Sequence, residues 1–142
     1  MFEINLSNAR QWSRIGSRGV FGQAILAVAD HHPEMMVMSA DLGNSSGLDR
    51  FKKTYPNQFL NIGIAEQNMI GVAAGLAKEG HNVFATSFAP FITMRAAEQV
   101  RMNLGYMGMN VKAVAIGSGV SMAFLGNSHY GIEDAAVMRA IP

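Results

Sequence analysis

Residues 59–87 read FLNIGIAEQNMIGVAAGLAKEGHNVFATS, and this stretch contains the pattern that predicts the fold. FLNIGI is a short apolar run of the length of a buried strand, and NVFATS, from Asn82, predicts another. The helix predicted between them, from Ala65 to Gly80, is rich in alanine and glycine, so it can pack closely against a neighbouring backbone. Strand, helix and strand in this order predict parallel strands joined by a helical crossover.

The rest of the chain continues this alternation. Further strands are predicted at MMVMSA, from Met35, and at VKAVAIGS, from Val111. Helices are predicted over Gly19–His31, LDRFKKTY, PFITMRAAEQVRMNLGY and IEDAAVMRAIP. The pattern indicates an α/β fold, a three-layer parallel sheet with helices on both faces. The functional edge is then formed by the loops after the strands, which are Asp41–Gly47, Gly63–Glu66, Thr86–Phe91 and Gly117–His129.

Composition narrows the class of protein. Residues 1–142 suffice for a single domain, and only 15% are charged, against about 25% in an average soluble domain. This deficit agrees with a surface partly covered by other protein and equally with a small protein that has a large core. Scattered Lys and Arg with a net charge of +1 argue against nucleic-acid binding. The chain has no cysteine, which excludes disulfides and cysteine-bound metal. We expect no signal peptide in MFEINLSNARQWSR, no membrane span and a cytoplasmic location.

Common catalytic and phosphate-binding motifs are absent from the sequence. It contains no G-x-x-x-x-G-K-[ST], no H-E-x-x-H and no G-x-S-x-G. Glu66 remains as the main candidate, because it directly follows an apolar strand at the start of a small-residue helix. Considered alone, an acid at that position also suits the helix dipole, which is worth about 0.3–1 kcal/mol.

Three segments, in order, carry a resemblance to a known family: GIAEQNMIGVAAGLA, VFATSFAPFITMRAAEQVR and SHYGIEDAAVMRAIP. From about Arg18 to Pro142 the chain resembles the pyrimidine-binding domain of transketolases, which use thiamine diphosphate. The resemblance implies that residues 1–142 form one such domain, as a split C-terminal subunit or an excised domain. The diphosphate-binding domain and the C-terminal domain of the family are expected to be absent.

The resemblance also implies the cofactor site. Glu66 matches the family glutamate that contacts N1′ of the aminopyrimidine ring and thereby allows the 4′-amino group to take the proton from C2 of the thiazolium. Phe88 and Phe91 match phenylalanines around that ring, and Asp41 matches an aspartate near the cofactor. The apolar strand before Glu66 is expected to keep the carboxyl dry and raise its pKa.

On the substrate side, His129 matches a family histidine beside the substrate, and with Glu66 it forms the expected catalytic pair. Arg18 and Ser45 match residues that bind the substrate phosphate in transketolases. The chain departs from the family at Leu125, where an acidic residue is usual, and at Gly117, where a second histidine is usual. These departures leave the identity of the sugar open.

The sequence contains no G-D-G motif, on which the family holds Mg²⁺ and the cofactor diphosphate. No metal ligand is therefore assigned to this chain, and a G-D-G-containing domain or subunit is the expected partner. The expected function is transfer of a two-carbon ketol unit between phosphorylated sugars, in a dimer or hetero-oligomer.

Alternatives remain within and outside the enzyme class. 1-Deoxyxylulose-5-phosphate synthases and β-type subunits of 2-oxo-acid dehydrogenases share the fold. A non-catalytic homologue used for assembly or regulation has no need of Glu66, and a plain mononucleotide-binding module is disfavoured by the missing phosphate loop.

Overall fold

The computed structural model describes residues 3–142. Met1 and Phe2, the first residues of the segment in which we expect no signal peptide, lie outside the described residues. None of the helices in the described part is long and apolar enough to cross a membrane. The main elements in chain order are α1 (Leu6–Ala29), β1 (Met35–Ser39), α2 (Asp49–Thr54), β2 (Phe59–Asn61), α3 (Glu66–Lys78), β3 (Asn82–Phe88), α4 (Ala97–Gln99), β4 (Val111–Ile116) and α5 (Asp134–Arg139).

The four strands form one parallel sheet in the order β2-β1-β3-β4. The chain places β2 on one side of β1 and β3 on the other, so the direction of winding reverses between β1 and β3. In open α/β sheets, ligands bind in the crevice outside the carboxyl ends of the strands at such a reversal. The fold therefore singles out the ends of β1 and β3 as the place for a site.

Two apolar clusters cover the two faces of the sheet. On one face Ile25 and Ala29 of α1, Phe51 of α2 and Leu48, just before α2, pack against Met35 and Val37 of β1. On the other face α3 and the helical segment 91–106 pack against the sheet. The members of this second cluster are Met38, Ala40, Met69, Ile70, Ala73, Val83, Ala85, Ile92, Ala96 and Val100. The predicted three-layer α/β fold with helices on both faces is confirmed.

Several predicted boundaries were wrong. The first helix begins at Leu6 rather than Gly19, and Gly16 interrupts it with a φ of 73°. Strand β2 ends at Asn61, so the rest of FLNIGI leads into the site as a loop. The last helix covers only Asp134–Arg139. The first part of α1, residues 6–15, is largely exposed. It therefore has no apolar stripe from which the sequence could have predicted a helix.

The helix predicted over residues 90–106 is wider than an α-helix in two places. Phe91–Arg95 and Val100–Tyr106 are π-helical and flank α4. The N–H of Ala96 donates to the carbonyl of Phe91, five residues earlier, at 3.2 Å. Such wide turns are rare and often lie at functional sites. We call residues 91–106 the wide helix.

One close backbone approach joins α1 to the loop after β1. A Cβ atom added to Gly22 would lie 2.3 Å from the carbonyl oxygen of Gly47. Gly47 has a φ of 76°, a left-handed conformation that glycine adopts without strain. The loop that carries Ser45 is thus held against α1 by two glycines that leave no room for a side chain.

We expect Gly22→Ala to lower the free energy of unfolding by about 1–3 kcal/mol, because its Cβ would force α1 away from Gly47. Gly75→Ala is the matched control, since a Cβ there meets nothing within 4 Å. The control should stabilise α3 by about 0.4–1 kcal/mol through helix propensity. Urea unfolding followed by circular dichroism measures both, and equal effects would contradict the close approach.

Candidate functional site

A cavity of about 240 Å³ lies at the carboxyl ends of the strands, where the winding of the sheet reverses. The segments after β1, β2 and β3 and the loop after β4 all contribute to it, as the loop positions in the sequence predicted. Its lining residues are Ala40, Asp41, Leu42, Ile64, Glu66, Phe88, Phe91, Arg95 and His129. Five of the residues assigned from the resemblance therefore lie in one cavity.

Glu66 lies at the floor of this cavity. It is the first residue of α3, and only 1% of its surface is exposed. The left-handed Gly63, with a φ of 78°, turns the chain from β2 into the helix. The two carboxylate oxygens have separate partners: Ser87 Oγ donates to Oε1 at 2.9 Å, and Arg95 Nη1 donates to Oε2 at 2.8 Å. The carboxylate is thus buried and oriented, as an acid–base group must be.

The expected rise in the pKa of Glu66 was wrong for this state of the protein. Burial does raise the pKa, but hydrogen bonds from Arg95, from the backbone N–H of Glu66 and from Ser87, together with the charge of Arg95, outweigh it. The pKa of the carboxyl is therefore lowered. Burial removes water from the carboxyl, but the guanidinium of Arg95 and the hydroxyl of Ser87 take the place of that water and stabilise the charged form.

Three aromatic rings line the same cavity as the carboxylate. The centroids of Phe88 and Phe91 are 6.0 Å apart, and the imidazole of His129 lies edge-on to them at 5.5 and 5.3 Å. His129 Nδ1 lies 3.0 Å from Ser128 Oγ, which helps to fix the ring. Flat aromatic faces beside a buried carboxylate can bind a flat ring that donates an N–H.

Arg95 is a site residue that the sequence analysis missed. Its guanidinium carbon lies 4.3 Å from the centroid of the Phe91 ring while its Nη1 holds Glu66. These two residues are four apart in one helical segment, a spacing that places their side chains on the same face. The signal in the sequence was the arginine four positions after a predicted ring-binding phenylalanine.

Asp41 is held in a left-handed conformation, with a φ of 60°. Asn61 at the end of β2 fixes it: Asn61 Nδ2 donates to Asp41 Oδ1 at 3.0 Å, and the N–H of Asp41 donates to Asn61 Oδ1 at 2.9 Å. The N–H of Gly63 donates to the same oxygen at 3.1 Å. Asn61, also missed in the sequence, thereby couples the loop after β1 to the turn that precedes Glu66.

The two residues expected to bind phosphate lie apart. Ser45 lines a second, polar cavity of about 270 Å³, to which Lys52 and Asn61 also contribute. Asp41 lines both this cavity and the first. Arg18 lines a different groove, together with Gly117. The structure thus places Ser45 next to the main cavity and does not bring Arg18 to either cavity. Leu125, at the position of the missing acid, is exposed.

The donor set fits the aminopyrimidine of thiamine diphosphate. Glu66, Phe88 and Phe91 offer a carboxylate and flat apolar faces, and the guanidinium now between them is itself a flat N–H donor. Within residues 3–142, no group of three or more His, Cys, Asp or Glu residues could hold a metal ion.

Comparison with known proteins identifies the family. Residues 13–142 match the family described as "Transketolase, pyrimidine binding domain". The chain is 43% identical over 127 residues to a putative transketolase C-terminal section of Methanocaldococcus jannaschii, covering 89% of this chain and 40% of the relative. It is 37% identical over 141 residues to the 6-deoxy-6-sulfo-D-fructose transketolase subunit SqwH of Clostridium sp. strain MSTE9, covering 99% of this chain and 42% of that relative.

A solved structure is similar to this chain in both sequence and fold. It is described as a split gene transketolase in an inactive beta4 tetramer, and it shares 41% sequence identity with a TM-score of 0.74. The match covers 88% of this chain and 40% of that one. The chain thus spans about two-fifths of the length of these relatives. With this match in sequence and fold, the chain belongs to the transketolase family and contains its pyrimidine-binding domain.

Proposed function

We propose that this chain is part of a thiamine-diphosphate-dependent transketolase that transfers a two-carbon ketol unit between phosphorylated sugars. One observation carries the proposal: the buried carboxylate of Glu66 shares a cavity with the rings of Phe88, Phe91 and His129 at the carboxyl ends of parallel strands. When bound, the cofactor supplies the electron sink that allows a carbon–carbon bond beside a carbonyl to break and form again.

In this proposal Glu66 holds a proton at N1′ of the aminopyrimidine. Ser87 keeps Oε1 oriented, which leaves Oε2, now bound by Arg95, for the ring nitrogen. Phe88 and Phe91 contact the ring and exclude water, so the hydrogen bond to Glu66 forms in a dry site where it is strong. Asp41, at the cavity wall, contacts the cofactor from the side of β1.

His129 and Ser45 define the proposed substrate side. The imidazole of His129 lines the cavity at its rim and can hydrogen-bond an oxygen of the sugar. Ser45 and Lys52 line the adjoining polar cavity, which can take the phosphate of the sugar. Arg18, in its separate groove, reaches that phosphate only if the substrate or a partner extends the site.

A partner is proposed to complete the active site. The cofactor diphosphate and its Mg²⁺ are held by a G-D-G-containing domain or subunit, and the assembly is a dimer or hetero-oligomer. The names of the relatives support this, because one is a C-terminal section and another a subunit. A tetramer of one subunit type is described as inactive in the similar split-gene transketolase.

The chain alone is expected to bind thiamine diphosphate and Mg²⁺ weakly. The dissociation constant should be about one hundred micromolar or higher, because the diphosphate has no anchor here, and about −5 kcal/mol corresponds to that range. Isothermal calorimetry checks this with the 142-residue chain. Binding in the nanomolar range would contradict the need for a partner.

In the complex with its partner, Glu66→Gln is expected to slow deuterium exchange at C2 of the bound cofactor by about 10²–10⁴-fold. Glutamine keeps the size and a hydrogen bond but cannot exchange the proton. Glu98→Gln, on the exposed side of the wide helix, is the matched control and should leave the rate unchanged. Exchange at the wild-type rate in Glu66→Gln with cofactor bound would remove the proposed role of Glu66.

Ser45→Ala is expected to raise KM for a phosphorylated sugar about tenfold, and to change KM for the unphosphorylated sugar little. A hydrogen bond to a charged phosphate is worth about 1.5–3 kcal/mol. Arg18→Ala should show the same selectivity if Arg18 reaches the phosphate in the assembled enzyme. Ser13→Ala and Arg14→Ala, on the exposed start of α1, are the controls. Equal changes for both sugars would exclude a phosphate site at these positions.

A further inference from the structure

Arg95 occupies the space between the two groups proposed to receive the aminopyrimidine. Its guanidinium stacks over Phe91 with 4.3 Å between the guanidinium carbon and the ring centroid, and Nη1 donates to Glu66 Oε2 at 2.8 Å. A guanidinium is planar, carries its N–H donors at its edge and stacks on aromatic faces. It therefore makes with this site the two contacts that a flat heteroaromatic ring with an N–H would make.

We propose that Arg95 is an exchangeable occupant of the ring site, displaced when the aminopyrimidine stacks on Phe91 and hydrogen-bonds to Glu66. This inference rests on the proposed function, since it concerns the same site. In this proposal Arg95 is a positioning residue. It keeps the buried carboxylate of Glu66 paired in the free chain, and it leaves the carboxylate when the ligand binds.

The surroundings of the ion pair allow such an exchange. Arg95 is 46% exposed in its side chain, whereas Glu66 is 1% exposed. The arginine can therefore turn into solvent without opening the core, while the carboxylate stays in place, held by Ser87. The arginine regains hydration as it turns into solvent, so a ligand that takes its place at the carboxylate can replace it without leaving either charge unpaired.

The exchange also ensures that the buried carboxylate of Glu66 is never left without a partner. A carboxylate that is almost fully buried has lost its hydration, and this loss is unfavourable unless a partner compensates for it. The guanidinium supplies that partner before the ligand arrives, and the aminopyrimidine, which takes up a proton from solvent at N1′ as it binds, supplies a ring N–H afterwards. A ring that displaces Arg95 from Phe91 but offers no N–H would leave Glu66 unpaired. The need to replace Arg95 therefore makes the site selective for rings with a donor.

A comparison within the wide helix provides the control. Arg101 also pairs with a glutamate, Glu98, at 3.5 Å, and lies 5.3 Å from the ring of Tyr106. This pair combines the same two interactions on the exposed surface, outside the cavity. A ligand in the cavity should act on Arg95 and leave Arg101 unchanged.

The experiment is an NMR titration of the 142-residue chain with 4-amino-2,5-dimethylpyrimidine, which carries the ring of the cofactor without its diphosphate. The side-chain Nε–H signal of Arg95 should move with the same saturation curve as the signals of Phe88 and Phe91, and that of Arg101 should stay. Arg95→Met should bind the probe roughly two- to tenfold more tightly, because no competitor remains. Arg101→Met should match the wild type.

Arg95→Lys and the titration of Glu66 separate exchange from a merely structural role. Lysine keeps the charge but has no flat face to stack on Phe91, so its affinity for the probe should lie between those of wild type and Arg95→Met. In Arg95→Met the pKa of the Glu66 carboxyl, followed by carbon-13 NMR, should rise because burial is then opposed only by hydrogen bonds. The signals of Asp41 and His129, which line the same cavity, are followed in the same NMR titration so that their protonation can be told apart from that of Glu66.

Two failures have different meanings. If the probe shifts Phe88 and Phe91 while the Arg95 signal stays fixed and Arg95→Met binds no more tightly, the exchange is wrong and the ring site remains. If neither wild type nor Arg95→Met shows any shift in the cavity at millimolar probe, the proposed function of the site is wrong as well. The wild-type titration decides between these outcomes even if a variant does not fold.

Discussion

The carboxylate of Glu66 is the one acidic or basic side chain that residues 3–142 bury almost completely, and the site is built to satisfy it. An unpaired carboxylate at that depth would be protonated or would destabilise the fold. Ser87 at the end of β3 and Arg95 in the wide helix both donate to it, so α3, the sheet and the wide helix meet at this residue. Its position therefore constrains three elements at once.

The parallel sheet explains why the other site residues collect there. Parallel strands end at the same edge, and the reversal of winding between β1 and β3 opens a crevice between the loops that follow them. Asp41 lies in the loop after β1, and Phe88 is the last residue of β3. Glu66 begins the helix after β2, beyond a turn at a glycine. The loop after β4 then brings His129 over the two phenylalanines. Residues far apart in the chain thus share one cavity of about 240 Å³.

Local backbone features give this edge its exact form. Asn61 holds Asp41 in a left-handed conformation and also bonds the turn before α3. In the helical turn that begins at Phe91, the i,i+4 spacing places Arg95 over the ring of Phe91. These features are small, yet each sets the direction of a side chain in the cavity.

The sequence by itself determined the α/β class, the order of the central elements and the loops that form the functional edge. Apolar runs and helical periods are local signals, and parallel strands put their carboxyl ends together whatever the details. The resemblance of its motifs to a known family then identified five candidate site residues that the structure brings into one cavity: Asp41, Glu66, Phe88, Phe91 and His129. Only the tertiary structure decided the partners of Glu66, the lowering of its pKa and the separation of Arg18 from Ser45. These depend on distances between side chains remote in sequence, and no local pattern records such distances.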